Sequence, residues 1–414
     1  MWVKILFVAQ DFPWPARLGT HLRSQQVVAT LATLGELDIF SLIYPNRADP
    51  CDVPPDIEVA RVEVVTSSKP VYSFGRRMRW LATSGLPLEI VASEPAPLRA
   101  RFHAWAGSHY DLVWINKAST FELLGRPALG RTIVDLDDLE DQKILTRLDV
   151  LRGQPSDGVR GWVHRRGAVF QARRNASRWA RLQETVARSV DTVLVCSDHD
   201  VERAGLTNAV VVPNGYEPPE QPAGRVQVGD PPSVLFQGSM RYGPNTDGAR
   251  WFVTEIAPLL RDRLPDTRIR LVGDPDGSVV RLDHPPEVTV VGFVESMATE
   301  LARADLVVVP LRYASGTRLK ILEALAHRIP VVSTTVGAQG LGLEPGRHLL
   351  VADDAESFAQ ACVSALTQPA LRERLVADGQ AAFLERHQWS VARERIRTVA
   401  LGSQAPAPSG SGSP

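Results

Sequence analysis

Two registers of apolar spacing alternate along the chain. Short runs rich in Val, Ile and Leu, bounded by Gly, Pro, Asn or Asp, are separated by longer stretches with helical spacing, the pattern of parallel βαβ units. In the first half the runs predict strands over 3–9, 37–42, 57–65, 112–115, 132–136, 192–196 and 210–212. In the second half they predict strands over 234–237, 269–272, 288–291, 306–309, 330–333 and 348–351. Runs that stay apolar on consecutive positions belong to sheets covered on both faces. The pattern occurs twice, so the expected fold class is α/β with two Rossmann-like domains.

The 414-residue length agrees with two domains, because one core rarely grows that large. A Pro-rich stretch opens with Glu217-Pro218-Pro219-Glu220 and runs to Pro231-Pro232, which neither a helix nor a central strand accepts. The expected division is a first domain over 1–217, a linker over 218–232 and a second domain over 233–387. A helix over about 388–401 is expected to complete the first domain. Residues 402–414, made of Pro, Ser, Gly and Ala with one Gln, are too poor in apolar groups to pack.

Composition narrows the classes. With 44% hydrophobic and 22% charged residues and a formal net charge of −1, the chain has no global pull toward nucleic acid, and no nucleic-acid partner is expected. Cys51, Cys196 and Cys362 are odd in number and far apart, which argues against a disulfide framework or a clustered zinc site and for a reducing cytoplasm. The apolar run over 2–10 lacks a small-residue cleavage site and leads into Asp11, so it reads as a strand rather than a leader.

The segment most informative about chemistry runs from Val307 to Ala326: a strand, a loop of small residues, then a helix. Ser315, Gly316 and Thr317 let backbone approach an anion at the start of that helix. Arg318 and Lys320 add cations where charge would build on a departing diphosphate. They point to different sides of the helix, so only one is expected to reach a ligand. Glu323 has two readings, an acceptor for ribose hydroxyls or a surface partner of Lys320 or His327.

With its surroundings this segment resembles glycosyltransferase family 4, retaining enzymes of the GT-B fold. Glu323-Ala324 followed by Ile329-Pro330-Val331-Val332 resembles the second half of the family's Glu-x7-Glu pattern, while Ser315 stands where the first Glu would be. Ser315-Gly316-Thr317-Arg318-Leu319-Lys320 is similar to a sub-branch carrying Gly-Ser-Gly-Thr-Arg-x-Lys there, which includes sugar transferases associated with exosortase systems. The resemblance implies two Rossmann-like domains with parallel sheets facing across a cleft, and a nucleotide diphosphate sugar as co-substrate with no further cofactor and no metal.

It also implies roles by position. The family's Gly-Arg and following Lys after the first donor-domain strand are here Gly238-Ser239-Met240-Arg241, so Arg241, Arg318 or Lys320 is expected to replace the missing charge. Phe293 and Val294 stand at the turn that meets the nucleotide base in the family, and an ordinary turn fits that string equally. Gly19 matches the glycine loop near the donor phosphates, and Val211-Val212-Pro213-Asn214-Gly215 the end of the first domain.

After the strand over 132–136 come Asp137, Asp138, Glu140 and Asp141, at the carboxyl edge where open sheets bind ligands. The resemblance places Asp137 and Asp138 at the family's His-Asp, near the acceptor hydroxyl. Rival readings are a divalent-metal pair of Asp135 with Asp137, and a helix start that favours acids. Segment 152–188 holds nine Arg with Trp162, Phe170 and Trp179 interleaved. It fits either peripheral contact with the inner face of a membrane or a solvated helix face. Tyr72 to Trp80 repeats the mixture. The resulting expectation is a retaining hexose-type transfer to a hydroxyl of a glycan, lipid-linked or secondary-metabolite acceptor. The alternatives are a nucleotide-sugar epimerase and a silent sugar-nucleotide-binding scaffold.

Overall fold

The computed structural model describes residues 3–15, 19–43, 53–66, 70–83, 85–152, 158–224, 227–314 and 316–402, with the side chains of 83, 149–152 and 158–165 excepted. The expectations for Ser315, for the tail beyond Gly402 and for part of the Arg-rich segment therefore lie outside the described residues. The chain divides into two compact units: 1–213 with 390–414, and 214–389. The crossings fall after Pro213 and Trp389. Much of the stretch expected as a linker is tied to the second unit, where Gly224 N–H donates to His327 O at 2.7 Å and Gly229 N–H to Asp305 Oδ1 at 2.9 Å.

In the first unit the strands are β1 (Val3–Gln10), β2 (Gly35–Ile43), β3 (Arg61–Thr66), β4 (Leu112–Asn116), β5 (Arg131–Asp137), β6 (Thr192–Val195) and β7 (Ala209–Val211). Among the described residues they form one parallel sheet in the order β3-β2-β1-β4-β5-β6-β7. Alternation along β1 supplies both faces, as a pleated strand requires. Leu6 and Val8 enter a core with Phe102, Trp179 and Val186, while Ile5, Phe7 and Ala9 enter a second core with Val27, Leu31 and Ile396. Ile396 belongs to the helix Trp389–Ala400, whose Arg393 Nη1 donates to Gln26 Oε1 at 3.1 Å. The expected strand over 57–65 begins later, at Arg61, because a turn closed by Ile57 N–H donating to Pro54 O at 3.0 Å takes up the start of that run.

The second unit contains β8 (Ser233–Gln237), β9 (Arg268–Val272), β10 (Val288–Gly292), β11 (Leu306–Val309), β12 (Val331–Ser333) and β13 (Leu350–Val351). They form a parallel sheet in the order β10-β9-β8-β11-β12-β13 around one core. In both sheets the first strand is internal and the strand order reverses beside it, between β1 and β4 and between β8 and β11. Side chains at the carboxyl ends of those pairs border the crevice where such sheets take ligands. No described helix is long and apolar enough to cross a membrane.

Candidate functional site

At the reversal in the second unit, β8 ends on Gln237 and the chain turns at Gly238 with φ 135°. The backbone there favours glycine, and a Cβ would lie 2.8 Å from Asn245 Nδ2 and 3.0 Å from Lys320 Nζ, so it would push both side-chain ends aside. Lys320 stands in the first turn of the helix Leu319–Ala326 that follows β11. Its Nζ donates to Asn245 Oδ1 at 2.7 Å and lies 4.5 Å from the Phe236 ring centroid. Asn245 Nδ2 donates in turn to Ser239 O at 2.9 Å. Lys320 thus reaches from the end of β11 to the glycine turn after β8. Burial pushes its ammonium down to about 7, the Arg318 charge acts in the same sense and Glu323 opposes both. An anion at this position would restore the proton.

Arg318 does something else. Its guanidinium donates to Gly316 O and Val336 O, bracing the loop in which Gly316 has φ 71°. Of the two cations the sequence left open, Lys320 is the one turned to the β8 edge. Arg241 is exposed and paired with Asp274 at 2.5 Å. Glu323 is only partly exposed, and its hydrogen-bond partners are not those of the surface reading. Its Oε1 accepts from the Tyr216 hydroxyl at 3.0 Å and its Oε2 from Gln237 Nε2 at 2.7 Å. Burial raises its carboxyl above the usual range, against those hydrogen bonds and Lys320. Thr317 Oγ1 accepts from Asn214 Nδ2 at 3.1 Å. Phe293 is 75% exposed just beyond β10, while Val294 packs on the core.

Sequence reasoning missed Tyr216, Gln237 and Asn245 as partners and placed Asn214 only at the end of the first domain. A polar residue ending a buried strand, as Gln237 does, was the one available signal.

In the first unit, Arg23 from the helix Gly19–Ala32 forms a buried two-point pair with Asp135, at 2.8 and 2.9 Å, and donates to Val212 O at 2.9 Å. This occupies both Asp135 oxygens and works against the metal reading of Asp135 with Asp137. The Asp137 N–H donates to Asp135 Oδ1 at 3.2 Å, and Asp137 turns the chain at φ 58°. Asp138 follows. Burial, then the Asp137 charge, pushes its carboxyl up to about 6, with Lys143 and Lys117 opposing and Glu140 adding. Gly19 opens its helix at an exposed position. A partly open cavity of about 900 Å³ is bordered by Gln10, Lys117 and Glu140, the last of these two residues after Asp138.

Residues 231–368 match the family model described as glycosyl transferases group 1. Over 205 residues the chain is 29% identical to a phosphatidyl-myo-inositol mannosyltransferase of Mycobacterium leprae, covering 47% of this chain and 53% of that protein. Over 137 residues it is 26% identical to an uncharacterized 44.6 kDa protein in the cps region of Klebsiella pneumoniae, covering 31% and 35%. The matched regions span about a third to a half of these relatives. Among solved structures, sucrose-phosphate synthase from Thermosynechococcus elongatus superposes with a TM-score of 0.66 at 18% identity over 96% of this chain and 98% of that one. Anabaena Alr3699/HepE in complex with UDP gives 0.62 at 16% identity over 96% and 100%. The chain has the GT-B fold, α/β with two Rossmann-like parallel sheets.

Proposed function

We propose that this protein is a retaining glycosyltransferase that moves a hexose-type sugar from a nucleotide diphosphate sugar to an acceptor hydroxyl, without a metal ion. The observation that carries the reading is Lys320, a partly buried cation set against the glycine turn at the strand-order reversal of the group 1 glycosyl transferase region. There it would hold the diphosphate as negative charge develops on the leaving group. Backbone at Gly238, Ser239 and Gly316 to Thr317 lines the same edge, Glu323 would offer its remaining acceptor capacity to the ribose, and Phe293 would lie along the base. Because HepE was crystallised with UDP, a uridine donor is the first to test. Asp138, its carboxyl pushed up to about 6 by burial and the Asp137 charge, is the acceptor-side acid, and Asp137 shapes the turn that presents it.

The protein would work in the cytoplasm at the inner face of the membrane. Phe74 (80% exposed) beside Arg76, Arg77 and Arg79, and Phe170 beside Arg166 and Arg173, are the groups that would meet lipid.

The test is thermal stabilisation by a panel of nucleotide diphosphates and their sugars with chelator present, repeated on Lys320→Ala and Glu323→Ala. Selective stabilisation by one base, lost in both variants, is the expected result. Conversion of the donor without an acceptor would favour an epimerase. Binding without turnover of any acceptor would favour a scaffold, and no response to any nucleotide would end the enzyme reading.

A further inference from the structure

The cavity in the first unit is partly open to solvent, a deep recess in the surface rather than a void in the close-packed interior. Its volume of about 900 Å³ lies at the upper end of small-ligand sites. Two helices line it with apolar side chains, of which Trp179 is shared with the core of the first unit. From Gly158–Ser189 come Val169, Ala172 and Trp179, and from Glu140–Arg152 come Ile144 and Leu148. Ile90 and Leu123 extend the same apolar wall.

Polar groups are distributed unevenly around it. Glu89 spends its carboxylate on the wall itself, accepting from Asn175 Nδ2 at 3.1 Å and from Trp179 Nε1 at 3.1 Å. Lys143 and Arg147 lie one turn apart on the helix that also carries Ile144 and Leu148, and Lys117 stands just past the end of β4. Three cations thus border the space, against Glu140, which lies 3.9 Å from Lys143. Lys117 and Lys143 are also the groups whose charge is felt by Asp138. A cationic edge at the carboxyl end of the sheet and an apolar interior behind it do not suit a free glycan, which would need hydrogen-bonding groups along the walls.

We propose that this cavity binds the acceptor as an amphiphile, a single apolar chain joined through a phosphate to a hydroxylated head. The chain lies between the two helices, the phosphate meets Lys117, Lys143 and Arg147, and the head reaches Asp138. This deepens the transfer reading and rests on it for the word acceptor; the binding itself does not.

The experiment titrates the full chain with dodecyl phosphate below its micelle concentration, followed by tryptophan fluorescence and thermal shift. Inorganic phosphate serves as the head alone and dodecyl maltoside as the uncharged chain. Ala172→Phe fills the cavity and Lys143→Glu reverses a cation at its edge, and stabilisation by the donor nucleotide reports that each variant is folded. The expected result is saturable binding of dodecyl phosphate, weaker by about tenfold or more in each variant and for either partial probe, a difference of about 1.4 kcal/mol. Binding that is absent, or equal in wild type and both variants while donor stabilisation persists, overturns the cavity proposal and leaves the transfer reading standing. Dodecyl phosphate bound as expected with no nucleotide response does the reverse. Binding of inorganic phosphate as tight as that of dodecyl phosphate also overturns it, because the apolar wall would then have no part.

Discussion

Lys320 joins two conditions that oppose each other, an ammonium charge and surroundings that desolvate it. Its ammonium is pushed down to about 7 from an ordinary value of 10.5. Between those values the unfolded chain holds a proton that the folded chain has released, so the unfolded state binds more protons and stability gains from rising pH. Wild type should therefore become more stable relative to Lys320→Met as pH rises from 7 to 10, by thermal melts of both across that window. A diphosphate beside Nζ would restore the proton, so binding above pH 7 should take up a proton and weaken as pH rises. Calorimetry in buffers of different ionisation enthalpy reads that uptake, which Lys320→Met should lack. Gly238 is the second sensitive position. Gly238→Ala forces a side chain into a φ of 135° against Asn245 and Lys320. It should cost about 1–3 kcal/mol in urea unfolding and displace the ammonium from its place.

At the scale of elements, the acidic turn after β5 is held from below by Arg23, which reaches it from the helix Gly19–Ala32. Removing one partner leaves the other charge buried and alone, so Arg23→Ala should destabilise by about 3–5 kcal/mol in denaturant unfolding. The double variant Arg23→Met with Asp135→Leu should recover much of that loss. It would still lack the oxygen that accepts from Asp137 N–H, so any activity should recover less than stability does. None of this pair could be read from the sequence, because Arg23 and Asp135 are brought together only by the sheet order. The strands themselves were legible: all of the apolar runs became strands, since a strand buried on both faces has to be apolar at consecutive positions. The small-residue loop and two cations at the start of the helix after β11 were legible, but which of Arg318 and Lys320 turns to the β8 edge was not. It depends on Gly316 O and Val336 O capturing one guanidinium. The cavity was equally hidden, since apolar spacing on 158–189 looks the same whether the residues face a core or an empty space.

At the scale of the molecule, the first unit is assembled from two separated stretches of chain. Ile396, Val399 and Ala400 complete a core begun by Val27, Val28 and Leu31, and Arg131 donates to Val399 O at 3.2 Å. A fragment of residues 1–213 should therefore bind a hydrophobic dye and aggregate, whereas residues 214–389, with a core of their own, should melt cooperatively by circular dichroism. If 1–213 melted as cooperatively as the full chain, the returning helix would be dispensable. The split also sets an order of events during synthesis. On the ribosome the second unit has everything it needs while the first still waits, with an apolar face uncovered, for a helix translated after it. A chaperone that holds nascent chains would then find its longest-lived target in the part of this protein made first.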